Sequence, residues 1–148
     1  MNIYTRAPFY YETDQMGIIH HSNYIRYMEE ARLDLLNQLG VDYFKLEARG
    51  FISPVTKISC EYRLMATVQN TISVKISVTR YTGILFELKY EIFDPGKETV
   101  FAVGTSQHCI LDKESKRIQR IPETEPKLDR MIQAFAESGY ETEVPGDA

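Results

Sequence analysis

Residues 24–39, with the sequence YIRYMEEARLDLLNQL, decide the fold, because they carry the strongest helical pattern in the chain. Apolar side chains recur there at the spacing of one helix face, at Tyr24, Met28, Ala31, Leu35 and Leu39. Ser22 or Asn23 can cap the start of this helix, and Arg26 and Glu30 are spaced to pair on its exposed face. This apolar face is too large to be left exposed to solvent, so the sequence predicts a long helix packed against another layer.

Beyond the helix the pattern changes to strict alternation, which is typical of β-strands. Three alternating segments follow one another, at residues 56–64, 72–79 and 84–92, and a fourth predicted strand at residues 99–111 is apolar on both sides. The turns between them are short, and short connections favour an antiparallel meander. Residues 3–11 alternate loosely ahead of the helix and indicate a further strand, which Pro8 places at a sheet edge or a bulge.

The remaining segments complete an α+β layer structure in one domain, residues 1–148. Residues 126–137 predict a short C-terminal helix, and the polar residues 139–148 are expected to fray. One long helix covers only part of a sheet, and residues 99–111 are apolar on both sides. We therefore expect a homo-oligomer, a dimer or a tetramer, whose second subunit closes the rest of the sheet.

The loop before the helix is where we expect chemistry. Residues 14–23, DQMGIIHHSN, run directly into a helix N-terminus, whose unpaired N–H groups and partial positive charge can hold an oxyanion. Asp14 can act on the same carbonyl as nucleophile or general base. Gly17 lets the backbone turn or approach a ligand closely. A loop aspartate before a helix is more often a turn former, so the residues alone leave both roles open.

The wider stretch YYETDQMGIIHHSNYIRYMEEAR, residues 10–32, resembles the signature of the 4-hydroxybenzoyl-CoA thioesterase family, which includes the Tol-Pal-associated acyl-CoA thioesterases. The signature runs Asp, Gly, an apolar pair, an aromatic or His pair, Asn-Tyr and an acidic-Ala-Arg run, and it occurs here without a gap. The resemblance implies a hot-dog fold, an antiparallel sheet wrapped around one long central helix. It also implies hydrolysis of an acyl-CoA thioester to free acid and CoA, with no metal, and with CoA present only as part of the substrate.

The resemblance also implies roles for single residues. Asp14 matches the family's catalytic aspartate. His21 matches a position whose backbone N–H faces the thioester carbonyl and whose imidazole is catalytically important in some members. Asn23 and Tyr24 match residues that shape the start of the helix. Together with Gly17 and His20 they are the other loop residues predicted to contact substrate, and packing at the helix entry is an equal alternative for His20.

Basic side chains on the polar sides of the strands are candidates for holding the CoA phosphates. Most of them must be ordinary solvated charges, and we expect the binding residues among Arg63, Arg80 and Lys89. Many family members carry Pro-Ala and an acidic pair in the turn after the third strand, where this sequence reads MATVQN at residues 65–70. The acyl preference is therefore not carried over, and an acyl-carrier-protein thioester is an open alternative to CoA.

Two other functions stay open on the sequence. A hot-dog dehydratase of hydroxyacyl thioesters would need a His base beside a carboxylate, which His21 and Asp14 could supply. The second alternative is a non-catalytic acyl-CoA-binding protein, because a fold alone does not determine a function.

Composition excludes several broader classes. The net charge of −4 argues against general nucleic-acid binding, which needs a positive field. No segment is apolar over the ~18 residues that a membrane helix needs, and no signal peptide is recognisable, so we expect a cytoplasmic protein. His20, His21 and His108 lack the spacing of a metal site, and His108, in an apolar strand, is typical of a core histidine.

Overall fold

A computed structural model describes residues 1–144 and places one long helix across one face of an antiparallel sheet. Two short 3-10 turns, at Tyr10–Glu12 and Gly139–Glu141, accompany the regular elements. In chain order these elements are β1 (Tyr4–Arg6), α1 (Ser22–Gln38), α2 (Tyr43–Ala48), β2 (Phe51–Ile52), β3 (Val55–Tyr62), β4 (Ile72–Tyr81), β5 (Leu85–Asp94), β6 (Thr99–Cys109), β7 (Leu111–Asp112), α3 (Ile121–Thr124) and α4 (Pro126–Ser138). The predicted α+β class is confirmed.

The main sheet has five strands in the order β1-β4-β5-β6-β3, and β2 pairs separately with β7. Only β4, β5 and β6 form the predicted meander; the expectation that β3 belongs to it is wrong. β4 is already paired on both sides, with β1 and β5, so β3 crosses over and joins the free side of β6. There Tyr62 lies opposite Ala102, and Val55 lies opposite His108. β3 is thereby an edge strand of the sheet.

The start of α1 differs from the prediction in its capping. The helix begins at Ser22, its N-cap residue is His21, and neither Ser22 nor Asn23 caps it with a side chain. Instead Nδ1 of His20 accepts the Ser22 N–H at 3.2 Å, so an imidazole satisfies one of the free helix donors.

The predicted pair between Arg26 and Glu30 does not form. Glu30 accepts hydrogen bonds from Arg6 at 2.9 Å and from the Tyr4 hydroxyl at 2.8 Å, while Arg26 reaches only Asn23 Oδ1 at 3.4 Å. The segment 3–11 is strand only up to Arg6, because the chain then turns through Pro8 towards the helix. Glu30 therefore ties α1 to the first strand.

A glycine in β6 leaves room for the Met28 side chain of α1 and for the neighbouring main chain of β3. A Cβ atom added to Gly104 would lie 2.7 Å from Sδ of Met28 and 2.8 Å from the main-chain oxygen of Ser59, both closer than real contacts. Around this point the buried side chains of α1 pack against those of β4, β5 and β6 in one hydrophobic core. A side chain at position 104 would therefore collide with the main chain of β3 and would force the end of the Met28 side chain to move.

The C-terminal helix packs beside α1 on β4. It spans Pro126–Ser138, where a helix was predicted at residues 126–137, and it buries its apolar face. The prediction that the chain frays from residue 139 is wrong for residues 139–142, because the Tyr140 hydroxyl accepts the Ile76 N–H at 2.9 Å, its ring packs on Phe135, and the Thr142 hydroxyl donates to the Gly139 carbonyl at 2.7 Å. Residues 145–148, also predicted to fray, lie outside the described part. Across residues 1–144, no helix has the length and apolar character needed to cross a membrane.

Candidate active site

The loop between the first strand and α1 is held in a tight turn around Asp14. The Asp14 N–H donates to the Ile18 carbonyl at 2.8 Å, and the Gly17 N–H donates back to the Asp14 carbonyl at 3.1 Å. Gly17 has φ +77°, a left-handed conformation that glycine adopts without strain. The sequence prediction that Gly17 turns the backbone is thus confirmed.

One oxygen of the Asp14 carboxylate is engaged by this turn and the other is not. Oδ1 accepts the Met16 N–H at 2.8 Å and, more weakly, the Ile18 N–H at 3.4 Å. Within residues 1–144, Oδ2 makes no hydrogen bond. Asp14 is half-buried, so its carboxylate is oriented by the backbone while one oxygen stays available to a reacting group.

The start of α1 faces the same cavity and presents an unused donor. Among the described residues, the N–H of His21 has no hydrogen-bond acceptor, whereas the next N–H, of Ser22, is taken by His20. The carbonyl of His21 accepts the Tyr62 hydroxyl at 3.1 Å, which ties the helix start to the end of β3. A free N–H at a helix N-terminus is the arrangement that stabilises a developing oxyanion.

Asp14 and His21 both line a cavity of about 330 Å³. Its other walls are mainly apolar and come from the loop, the first turn of α1, and the end of β3: Met16, Ile18, Ile19, Tyr24, Tyr62, Arg63, Leu64 and Met65. Burial raises the pKa of Tyr24, with the Ala66 N–H acting in the opposite direction, so its phenol is protonated at neutral pH. The cavity is therefore lined by a carboxylate, by a residue whose backbone N–H is unused, and by an apolar wall.

The structure brings together four of the nine predicted site residues, namely Asp14, His21, Tyr24 and Arg63. Three more support the loop without lining the cavity. Gly17 makes the turn, His20 caps the helix, and the buried Asn23 amide donates to the main-chain oxygens of Glu12 and His20, at 2.9 and 3.3 Å.

The last two predicted residues lie elsewhere in the chain. Arg80 lines a shallow surface depression between β4 and α4, together with Tyr81 and Gln133. Lys89 is exposed near the middle of β5, opposite Ser77 and Thr105. Within one subunit neither residue reaches the Asp14 cavity.

The sequence interpretation missed the wall contributed by β3 and the segment after it, Tyr62, Leu64 and Met65. Alternation marks the strand, but nothing local shows that its end meets the Asp14 loop. That meeting depends on long-range pairs: the Ile19 N–H donates to the Ala66 carbonyl at 2.8 Å, and Ile18 bridges to Thr67. In residues 1–144, no group of three His, Cys, Asp or Glu side chains is placed to hold a metal ion.

Comparison with known proteins identifies the family of the chain. The family model of the thioesterase-like superfamily matches residues 10–134. The putative acyl-CoA thioesterase YneP of Bacillus subtilis is 38% identical over 106 residues, which cover 72% of this chain and 76% of that protein. The 1,4-dihydroxy-2-naphthoyl-CoA hydrolase of Thermosynechococcus vestitus is 29% identical and covers 83% of each chain.

Solved structures give the same relationship. The crystal structure of a DHNA-CoA thioesterase from Staphylococcus aureus superimposes with a TM-score of 0.83 and 31% identity, covering 93% of each chain. The predicted hot-dog fold is thereby confirmed, while the narrower resemblance to 4-hydroxybenzoyl-CoA and Tol-Pal-associated enzymes stays a prediction. The family match over most of the chain, together with relatives above 30% identity, shows that this protein belongs to the thioesterase-like superfamily of hot-dog proteins.

Proposed function

We propose that the protein hydrolyses an acyl-CoA thioester to the free acid and CoA at the Asp14 cavity. The observation that carries the proposal is the pairing of a free carboxylate oxygen on Asp14 with the unused N–H of His21 in one cavity. Relatives that carry acyl-CoA thioesterase and hydrolase names support the same reaction. No metal or separate cofactor enters the proposed reaction.

In the proposed mechanism the thioester carbonyl oxygen accepts the His21 N–H, and the positive end of α1 stabilises the charge that develops on it. Asp14 then acts by one of two routes. It deprotonates a water that attacks the carbonyl, or it attacks directly to give a mixed anhydride that water hydrolyses. In both routes the C–S bond breaks and CoA leaves as a thiol. Incorporation of ¹⁸O from labelled water into Asp14 during a single turnover would identify the anhydride route.

The reaction itself is tested by release of free thiol from a panel of aromatic, short-chain and medium-chain acyl-CoA thioesters. We expect hydrolysis of at least one class at a rate that depends on enzyme concentration. A 3-hydroxyacyl-CoA separates the proposal from the dehydratase alternative, because a dehydratase gives an enoyl thioester and no free thiol. Tight binding of acyl-CoA with neither product would favour the non-catalytic alternative.

Arg63 is the basic residue that we expect to meet CoA, because it alone of the three candidates lines the Asp14 cavity. Its side chain is about half exposed, and within residues 1–144 its one ion-pair contact is a long one, 3.4 Å, with the exposed Glu61, so it is available to pair with a phosphate. Arg63→Ala should raise KM several-fold and change kcat little. Arg80→Ala and Lys89→Ala are matched controls that remove the same charge elsewhere.

The salt dependence of KM gives a second measurement of the same contact. An exposed ion pair is screened over about 10 Å at 0.1 M salt, so KM of the wild type should rise with salt and that of Arg63→Ala should rise less. An unchanged KM in Arg63→Ala, or an equal increase in all three variants, would place the phosphates on another surface.

We also propose that the protein works as a homo-oligomer whose subunits contact one another through the edge strand β3. This strand has free backbone groups on one side, and it exposes 45% of Val55, 41% of Ile58 and 46% of Tyr62. Unprotected apolar edge strands readily pair with another chain. Light scattering at micromolar concentration should therefore give a mass of at least twice 17.1 kDa.

A charge on this edge should shift the particle towards the monomer. Ile58→Arg places a charge on β3, and Ser77→Arg places the same charge on an exposed site of the inner strand β4. Only Ile58→Arg should lower the particle mass that light scattering measures. A wild-type protein that scatters as a 17.1 kDa particle would contradict the proposed assembly.

A further inference from the structure

Asn23, the second residue of α1, is a buried polar residue beside the Asp14 cavity but not in its wall. Its exposed fraction is only 4%, and its side chain is not among those that line the cavity. The sequence resemblance places Asn23 among the residues that contact substrate, whereas the structure leaves it behind the site. Its side-chain amide therefore acts on the protein itself.

The Asn23 side chain is a double hydrogen-bond donor. Its Nδ2 donates to the main-chain oxygen of Glu12 at 2.9 Å and to that of His20 at 3.3 Å. Among the described residues, its Oδ1 receives only a long, 3.4 Å contact from Arg26. An asparagine that caps a helix instead accepts a main-chain N–H through Oδ1, and α1 has no such side-chain cap. The amide of Asn23 thus bridges two carbonyl groups.

One of these carbonyls belongs to the peptide group that carries the His21 N–H. Besides Nδ2, the His20 carbonyl accepts the main-chain N–H of Asn23 at 3.0 Å. A peptide group is planar and trans, so its N–H points opposite to its C=O, and a fixed carbonyl fixes the direction of the N–H. Donors on the carbonyl also polarise the amide and make its N–H a stronger donor.

We propose that Asn23 is a positioning residue, whose bridge between the Glu12 and His20 carbonyls sets the direction of the His21 N–H. The inference rests on the proposed function, in which that N–H stabilises the oxyanion. A preorganised donor contributes more to the transition state than to the bound substrate, because charge on the carbonyl oxygen develops only as the reaction proceeds. Loss of the bridge should therefore lower kcat and leave KM nearly unchanged.

The bridge also joins the turn at Glu12 to α1, so its loss has a cost in stability. That cost is limited, because each carbonyl keeps a main-chain donor when the side chain is removed. The His20 N–H still donates to Glu12 at 2.9 Å, and the main-chain N–H of residue 23 still donates to His20. Asn23→Ala should therefore fold, with a Tm lower by roughly 5 °C.

Steady-state kinetics give the first measurement, with a thioester that the wild type hydrolyses. Asn23→Ala should lower kcat about 10- to 100-fold, and should change KM less than about 2-fold, because the donor is misdirected but not removed.

Thr142→Val is the matched control for stability. Thr142 is 7% exposed, and its hydroxyl likewise lies against two main-chain oxygens, of Gly139 at 2.7 Å and of Ala134 at 3.1 Å. This residue follows α4 and does not line the Asp14 cavity. Thr142→Val should therefore lower Tm by a similar amount and leave kcat unchanged.

The infrared band of the thioester carbonyl reports on the donor without turnover. In Asp14→Asn the thioester stays bound, and a ¹³C label on its carbonyl separates this band from those of the protein. A hydrogen bond to the carbonyl oxygen lowers the frequency of the band. We expect a higher frequency when Asn23→Ala is added to Asp14→Asn, whereas a merely structural role of Asn23 would leave the band of the bound thioester unmoved.

Several results would overturn the inference while leaving the proposed function intact. They are wild-type kcat in folded Asn23→Ala, an equal fall of kcat in Thr142→Val, a change in KM as large as that in kcat, and an unmoved carbonyl band. If Asn23→Ala does not fold, Asn23→Ser decides, because its shorter side chain cannot bridge both carbonyls, and wild-type kcat there would overturn the inference as well. A wild type that hydrolyses no thioester would instead reject the proposed function, and this inference with it.

Discussion

Asp14→Asn is expected to lower kcat for thioester hydrolysis by at least ~10²-fold, the low end for a positioned acid–base group. The amide keeps the size of the side chain, and its oxygen can still accept the Met16 and Ile18 N–H groups that hold the turn. What it loses is the charge on the free oxygen, and with it nearly all basicity and nucleophilicity. KM and the circular dichroism spectrum should therefore stay close to those of the wild type.

His21→Ala is the companion variant for the helix side of the same cavity. Alanine keeps the backbone N–H of residue 21, so the loss of kcat should be much smaller than in Asp14→Asn if His21 acts through that group alone. A comparable loss would show that the imidazole takes part. A folded Asp14→Asn enzyme with wild-type turnover would remove Asp14 from the mechanism.

Glu12→Ala is expected to destabilise the fold by about 3–5 kcal/mol, the usual cost of breaking a buried ion pair. The Glu12 side chain is only 7% exposed, and its Oε1 accepts hydrogen bonds from Arg6 at 2.6 Å, Phe9 N–H at 2.7 Å and the Tyr27 hydroxyl at 2.9 Å. Without it, the largely buried Arg6 loses one of its two carboxylates and the fully buried Tyr27 hydroxyl loses its acceptor.

Glu30→Ala is the matched control, because Glu30 is the other carboxylate on Arg6. Its side chain is 37% exposed, so solvent screens the pair and its loss should cost about 1 kcal/mol. Urea unfolding of the two variants measures the difference. Equal midpoints would show that the Glu12 network contributes no more than a surface pair.

The loss of the Glu12 side chain should also affect the active site. The main-chain oxygen of Glu12 accepts the His20 N–H and the Asn23 amide, both at 2.9 Å, and so fixes the start of α1. A milder change, Glu12→Gln, keeps the volume but not the charge. We expect it to fold and to lower kcat, because the start of α1, which carries the His21 N–H, is then held less firmly.

Local patterns in the sequence predicted the parts of the structure that depend on local physics. The apolar spacing of residues 24–39 gave α1 to within two residues at its start and one at its end, because the buried face of an amphipathic helix repeats regularly. The turn at Gly17 and the position of Asp14 ahead of a helix N-terminus were likewise readable, since both concern residues close in sequence.

The predictions that are wrong concern features that depend on contacts between residues distant in sequence. Alternation identifies β3 as a strand but carries no information about its partner, so its place beside β6 could not be predicted. For the same reason the sequence does not show that Tyr62 lines the cavity, or that Arg80 and Lys89 lie away from Arg63. Arg32 is a further example. It lies three residues after Glu29, a spacing that fits an ion pair on the helix surface, whereas its burial is visible only in the folded chain.

The crossover of β3 also has a consequence for how the chain reaches its native state. A three-residue connection joins β4 to β5, whereas 39 residues separate Tyr62 from its partner Ala102. Closing the longer loop costs about 2 kcal/mol more in chain entropy, so we expect β4, β5 and β6 to associate first and β3 to dock late. Tyr62 and Arg63 arrive with β3, and the wall of the catalytic cavity is therefore among the last surfaces that the chain completes.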